Sequence, residues 1–417
     1  MGVLRIRGGL PLQGTLKVQG AKNSVLPIMA ASILACGETV IHNCPNLSDV
    51  EATIKILRHL GCTVEREDNS VYIDSASMMR CDIPHDLMRE MRSSVIFLGA
   101  ILARTGEAML SLPGGCELGP RPIDIHLMAL RAMGAEITEN GGNIICKAHR
   151  LKGCRINLPM PSVGATENSI LAATRCEGVT TITNAAREPE ITDLQDYLNK
   201  LGTNVIGAGT PTVTVEGKCR SCCTEHRVIP DRIVAATYLS AAASAGGRVV
   251  LTGVIPDHLK SVTNVLSEMG CSVRCSEDEI EIASEGVLKA SRPIITEPYP
   301  GFPTDAQPPI MAAALRAEGT TVFIENIFQN RYRHVSELLR MGADIKMEGR
   351  VAMTTGVKHL MGAPVTATDL RGAAALAVAA LGAQGTTEIS GLGHLDRGYE
   401  NFEQSLRLLG ADVIRTV

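Results

Sequence analysis

Tryptophan is absent, and 417 residues carry only six tyrosines and five phenylalanines. Binding of unpaired nucleic acid leans on aromatic platforms for the bases, so this composition argues against that class. A basic excess is missing as well. Lys and Arg number 40 against 44 Asp and Glu, for a formal net charge of −4, which leaves no electrostatic footprint for a polyanion. No apolar run is long enough for a bilayer: the longest Ala-rich stretch, 372–383, falls well short of the roughly 20 residues a spanning helix needs. The opening Met1-Gly2-Val3-Leu4-Arg5-Ile6-Arg7 has no apolar leader. Ile6 also stands where a myristoylation start needs Ser or Thr. Thirteen cysteines, an odd number, are scattered along the chain and read as free thiols in a reducing cytosol. Cys219, Cys222, Cys223 and His226 imitate part of a zinc site, but no second CxxC completes it. No metal is expected, and the polar stretch 217–227 reads as a solvated hairpin and candidate linker.

What the chain does have is a repeat. An apolar residue, a glycine, a small residue and a β-like run recur at Gly61, Gly134, Gly202, Gly270, Gly342 and Gly410, spaced 73, 68, 68, 72 and 68 residues apart. A near-constant period over the whole length marks a repeated structural unit. Each glycine is expected to end a helix with positive φ. Ser48-Asp49-Val50-Glu51 and Thr192-Asp193-Leu194-Gln195 have the form of capping boxes at helix starts. Upstream in every copy lies a second helix, Ala-rich and apolar on several faces: 24–34, 93–103, 166–173, 233–243, 306–315 and 370–381. Helices with no polar face belong inside. The unit is therefore helix, strand, helix, strand, strand, in an α/β protein with three units per domain and the Ala-rich helices buried within sheets.

One segment has unusual chemistry. Leu112-Pro113-Gly114-Gly115-Cys116-Glu117-Leu118-Gly119-Pro120-Arg121-Pro122-Ile123-Asp124 joins a glycine-freed thiol to a proline-stiffened guanidinium. An apolar stripe of Ile123, Leu127, Leu130 and Met133 follows at helical spacing. Arg121 thus sits near a helix start, where backbone N–H groups favour an anion. A reactive thiol beside an anion site is one reading; a Gly/Pro turn with an incidental cysteine is the other.

The set Gly20-Ala21-Lys22-Asn23, Pro113-Gly114-Gly115-Cys116, Arg121-Pro122-Ile123-Asp124, Ser162-Val163-Gly164-Ala165-Thr166, Phe302-Pro303-Thr304-Asp305, Ala367-Thr368-Asp369-Leu370-Arg371 and Asp396-Arg397-Gly398-Tyr399-Glu400 spans nearly the whole chain. Together these motifs closely resemble the UDP-N-acetylglucosamine enolpyruvyl transferases. The resemblance implies two inside-out α/β barrel domains, residues 21–229 and residues 1–20 with 230–417, with the active site in the cleft between them. It implies transfer of the enolpyruvyl group of phosphoenolpyruvate to the 3′-hydroxyl of UDP-N-acetylglucosamine with release of phosphate. That is the first committed step of peptidoglycan synthesis, hence of cell wall biogenesis, cell shape and division, carried out in the cytoplasm without cofactor or metal.

By the same resemblance Lys22, Arg121 and Arg397 hold phosphoenolpyruvate, with Arg92 and Arg371 at nearby basic positions. Arginine suits bidentate contact with carboxylate or phosphate. Cys116 is the general acid, is able to bond phosphoenolpyruvate covalently, and is the thiol that the epoxide fosfomycin alkylates. Asp305 stands at the 3′-hydroxyl as base or orienting group; a helix N-cap before Ala306 is its alternative role. Asn23 contacts the reacting intermediate or, alternatively, caps the following helix. The nucleotide sugar takes Arg121, Pro122, Ile123, Asp124, Ile125, Ser162, Val163, Gly164 and Ile327. One departure stands out: Met160 occupies a position where the family often has lysine. Two alternatives compete. The related transferase acting on shikimate 3-phosphate lacks the Pro-Gly-Gly-Cys loop. A silent nucleotide-sugar-binding paralogue is expected to have lost Cys116, Lys22, Asp305 or Arg397, and all four are present.

Overall fold

The computed structural model describes residues 2–111, 123–217 and 223–416. Backbone contacts separate them into two units: residues 20–111 with 123–229, and residues 2–19 with 230–416. Each unit has its own apolar core.

In the unit of residues 20–229, three Ala-rich helices are inside: α1 (Lys22–Ala31), α2 (Phe97–Thr105) and α3 (Val163–Ala173). The second unit has α4 (Arg232–Ala245), α5 (Gln307–Ala314) and α6 (Leu370–Gly382), each packed on the other two. Arg371 through Gly382 are buried without a break, so α6 shows no polar face to solvent. Such helices come close only where side chains are small. A Cβ on Gly99 would lie 2.4 Å from the Asn168 carbonyl oxygen, and one on Gly382 would lie 2.5 Å from Ser244 Oγ.

Three four-stranded sheets accompany the inner helices in each unit. One repeat shows the pattern. Asp82–Ile83 pairs parallel with Glu107–Ser111, which pairs antiparallel with Asn143–Lys147, which pairs antiparallel with Glu136–Asn140. α2 and the outer helix Asp124–Ala132 connect these strands. Strands alternate in burial, one face inward. All six repeat glycines have positive φ, from 79° at Gly202 to 102° at Gly61, as the repeat requires.

The structure corrects three expectations. Four of the repeats open with an additional strand of two or three residues parallel to the next, such as Arg155–Asn157 or Pro364–Thr366; so few residues cannot show alternation in sequence. The capping boxes do not form. Leu47 precedes helix Ser48–Leu60 with no side-chain cap, and Thr192 lies within helix Pro189–Lys200, which opens on its proline. The polar stretch near 217–227 ends in a strand: Thr224–Arg227 runs parallel to Glu38–His42. His226 there is buried against Asp193, 2.8 Å from its Oδ1. Among the described residues no cluster of His, Cys, Asp and Glu could hold a metal ion, and no helix is long and apolar enough to cross a membrane. Cys219 and Cys222 lie outside the described residues.

Strand pairing also explains why the chain's beginning belongs with its second half. Val3–Arg7 lies between Thr386–Ser390 and Asp412–Thr416, and Leu12–Lys17 pairs with Gly247–Thr252.

Candidate active site

Internal repetition singles out one carboxylate. Each inner helix of the second unit starts beside an aspartate: Asp231, Asp305 and Asp369. Asp231 caps α4 by accepting from the N–H groups of Ile233 and Val234 at 2.9 and 3.0 Å. Asp369 caps α6 in the same way, from Arg371 and Gly372. Asp305 caps nothing. It lies in the short helix Thr304–Ala306, whose preceding residue is Pro303. Its Oδ1 accepts from Arg331 Nη2 at 2.6 Å, and its Oδ2 from Arg371 Nε and Nη2 at 3.1 and 3.0 Å. The capping alternative for Asp305 is thereby overturned.

Two guanidiniums on one carboxylate set its electrostatics. Burial would raise the Asp305 pKa, but Arg371 and Arg331 outweigh it and hold the carboxyl far below the usual range. Arg371 is raised in turn: burial opposes its charge, and Asp305 restores it. The Asp305 side chain is still 26% exposed, whereas Arg331 and Arg371 are almost fully buried. Of the roughly four acceptor positions of a carboxylate, three are filled, and the open one is on the Arg331 side.

The surroundings are fixed as firmly. Arg331 Nε also donates to Thr304 Oγ1 at 3.0 Å, and its guanidinium lies 4.7 Å from the centroid of Phe328. Thr304 donates to Glu325, which is buried and accepts the backbone N–H groups of Ile327 and Phe328 at 2.8 Å each. Ile327 is thus held through its own backbone. Arg371 Nη1 reaches the Tyr399 hydroxyl at 3.3 Å, and that hydroxyl meets Thr237 of α4 at 2.8 Å. Arg397 ends the short helix Leu392–Arg397 and is half-buried. Its neighbours are pinned: Asp396 by Arg415, and Gly398 and Glu400 by Gln19.

In the other unit, Lys22 and Asn23 form the first turn of α1. Lys22 Nζ pairs with Asp49 at 2.5 Å, both buried, and Asn23 is exposed. Ala21 occupies the cap position, so Asn23 is not the helix cap. Arg92 opens the short helix Arg92–Ile96. Ile123 precedes helix Asp124–Ala132, with Asp124 exposed and Ile125 half-buried. Ser162 caps α3, its hydroxyl accepting from Ala165 N–H at 3.4 Å, and Val163 and Gly164 follow. His126 joins the two segments. Its ring lies where a Cβ on Gly164 would be 3.0 Å away, and its Nδ1 meets Asn168 Nδ2 at 2.8 Å. Burial lowers its pKa to about 4, against a smaller opposing effect of Asp124. Met160 is exposed. Cys116, Arg121 and Pro122 lie outside the described residues.

The sequence profile of the EPSP synthase (3-phosphoshikimate 1-carboxyvinyltransferase) family matches residues 6–406. The chain belongs to this family of enolpyruvyl transferases. Among its relatives, UDP-N-acetylglucosamine 1-carboxyvinyltransferase 2 of Caldanaerobacter subterraneus subsp. tengcongensis is 50% identical over 415 residues, covering 100% of both chains. The UDP-N-acetylglucosamine 1-carboxyvinyltransferase of Halothermothrix orenii is 47% identical, covering 99% of both. The solved enolpyruvyl transferase NikO of Streptomyces tendae superposes with a TM-score of 0.90 at 26% identity, over 100% of this chain and 99% of that one. EPSP synthase of Acinetobacter baumannii shares the fold, with a TM-score of 0.75 at 22% identity over 100% of both chains.

The partners that hold the site's side chains are not marked in the sequence. Arg331, Glu325, Asp49 and His126 carried no signal. Asn330-Arg331-Tyr332-Arg333-His334 is a polar, basic stretch, yet Arg331 is 1% exposed. A buried arginine is legible only once its carboxylate is seen beside it.

Proposed function

We infer that the protein transfers the enolpyruvyl group of phosphoenolpyruvate to the 3′-hydroxyl of UDP-N-acetylglucosamine, releasing phosphate, and so begins peptidoglycan synthesis in the cytoplasm. The observation that carries the choice of acceptor is the 47–50% identity, over essentially the full length, to proteins named for that reaction. Shikimate 3-phosphate, which gives the family its name, is the competing acceptor. The 22% identity to an EPSP synthase supports only a shared fold.

The chemistry divides among the residues as follows. Lys22, Arg121 and Arg397 bind phosphoenolpyruvate, with Arg92 and Arg371 adding positive charge. Ile123, Asp124, Ile125, Ser162, Val163, Gly164 and Ile327, with Arg121 and Pro122, hold the nucleotide sugar. In the addition step the Cys116 thiol gives its proton to the methylene carbon. The 3′-oxygen bonds to the neighbouring carbon and its proton passes to solvent. In the elimination step the new methyl group gives a proton back to the Cys116 thiolate, the carbon–oxygen bond to phosphate breaks, and phosphate leaves. Asp305 accepts the hydroxyl's hydrogen bond through its open acceptor position. Clamped by two guanidiniums, it is a weak base, so its main contribution is to aim the oxygen. Asn23 faces the intermediate.

The test is product identification. Incubation with phosphoenolpyruvate and UDP-N-acetylglucosamine should give an enolpyruvyl ether on the 3′-oxygen, read by nuclear magnetic resonance; an unaltered sugar contradicts the reading. Fosfomycin should inactivate the enzyme by attachment to Cys116, located by peptide mass mapping. Cys116→Ser should abolish that attachment and severely reduce turnover, whereas full turnover would remove Cys116 as the acid. Arg397→Ala should raise KM for phosphoenolpyruvate far more than KM for the nucleotide sugar; equal increases would remove Arg397 from the phosphate.

A further inference from the structure

Two carboxylates grip the first turn of α1 from two other helices. Asp49, in helix Ser48–Leu60, holds Lys22. Asp193, in helix Pro189–Lys200, holds Ser24: its Oδ2 accepts from the Ser24 hydroxyl. The same oxygen accepts the N–H of Ile229 at 3.2 Å, and Oδ1 accepts from His226 Nε2 at 2.8 Å. Asp193, Ser24 and His226 are all buried. Lys200 Nζ lies 3.4 Å from His226 Nδ1. An ammonium only donates, so Nδ1 accepts and the imidazole carries its proton on Nε2, facing Asp193. Ile229 is fixed from its other side as well, its carbonyl accepting from Ala21 N–H at 2.8 Å.

Asp193 therefore ties together the start of α1, the strand Thr224–Arg227 and residue 229. Nothing local does this work: α1 has no side-chain cap and no acid in its first turn. The exposed Asn23 lies between the two gripped residues, Lys22 and Ser24.

We propose that Asp193 is a positioning residue for Lys22 and Asn23, fixing the rotation of the first turn of α1 so that both side chains meet the reacting groups. This rests on the assignment of Lys22 to phosphoenolpyruvate and of Asn23 to the intermediate. A displacement of about 1 Å at such a site costs up to about a hundredfold in rate.

Steady-state kinetics on the full chain tests it. Asp193→Asn keeps the shape but replaces one acceptor oxygen by a donor, so the three hydrogen bonds cannot all survive. It should lower kcat and raise KM for phosphoenolpyruvate, each about tenfold, with KM for UDP-N-acetylglucosamine within about twofold of wild type. Ser24→Ala should give the same split and serves alone if Asp193→Asn fails to fold. The double variant should lose little beyond either single one, because both remove the same contact. Tyr197→Phe is the control. It removes the Thr39–Tyr197 hydroxyl bond of 3.1 Å from the same helix and should lower the melting temperature while leaving kcat and both KM values unchanged. Equal rises in both KM values, full kcat in Ser24→Ala, or additive losses would each overturn the role of Asp193. A wild-type protein inert toward UDP-N-acetylglucosamine would instead overturn the functional reading beneath it.

Discussion

Asp305 owes its character to two arginines on opposite sides of its carboxylate. Arg331→Gln removes one of them, so the carboxyl should regain proton affinity and lose its aim. The acid limb of the kcat/KM profile should move to higher pH, and kcat should fall by about a hundredfold. An unshifted limb in a folded variant would mean that Arg371 alone sets the carboxylate. His126 supplies a second residue-scale prediction. Its pKa of about 4 in the folded chain lies below the ordinary 6.5, so the unfolded chain takes up the proton first as pH falls. Stability is intact above about pH 6.5 and declines down to about pH 4, by up to about 3 kcal/mol. His334, also buried and lowered to about 4, adds to this slope. Urea unfolding of His126→Gln across that range should show part of the slope removed; an unchanged slope would exclude His126 as a source. At this scale Lys22, Asn23, Asp305 and Arg371 were named through the family resemblance of the motifs that carry them. Arg331 was not, because burial of a charge depends on a partner 26 positions away.

Among the elements, the repeat glycines were legible because a helix ending in left-handed backbone leaves a fixed mark in sequence. Their energetic weight differs, however. Gly61 and Gly134 have nearly the same φ, 102° and 97°. A Cβ on Gly61 would lie 3.1 Å from the Ser77 carbonyl oxygen and 3.3 Å from Met79 N, whereas on Gly134 its nearest neighbour is the Arg150 oxygen at 3.8 Å. Gly134→Ala should therefore cost about 1 kcal/mol from backbone strain alone, and Gly61→Ala distinctly more, measured as urea midpoints. The helix caps divide similarly. Asp369→Ala leaves two N–H groups of α6 without their acceptor and should cost about 1–2 kcal/mol; a neutral result would mean that water replaces the carboxylate. The short opening strands and the true helix starts stayed hidden in the sequence. A two-residue strand such as Asp82–Ile83 has no periodicity, and the structure starts its helices at Ser48 and Pro189, where residues around the start outweigh a matching four-residue pattern.

At the scale of the molecule, six copies of one unit build two compact halves, and the residues assigned to the reaction are drawn from both. Lys22, Asn23 and the nucleotide-sugar segments belong to one, and Asp305, Ile327, Arg371 and Arg397 to the other. The sixfold period and the buried Ala-rich helices were readable in advance because each repeats. The return of residues 2–19 to the second half was implied only by the family resemblance, because it depends on strand pairing across nearly the full chain length. The central claim is that this fold carries enolpyruvyl transfer to a nucleotide sugar. Phosphate release from phosphoenolpyruvate tests it most directly, followed with UDP-N-acetylglucosamine, with shikimate 3-phosphate and with neither. Release with the nucleotide sugar alone is the predicted result. Release with shikimate 3-phosphate alone, or with neither acceptor from folded protein, would contradict it.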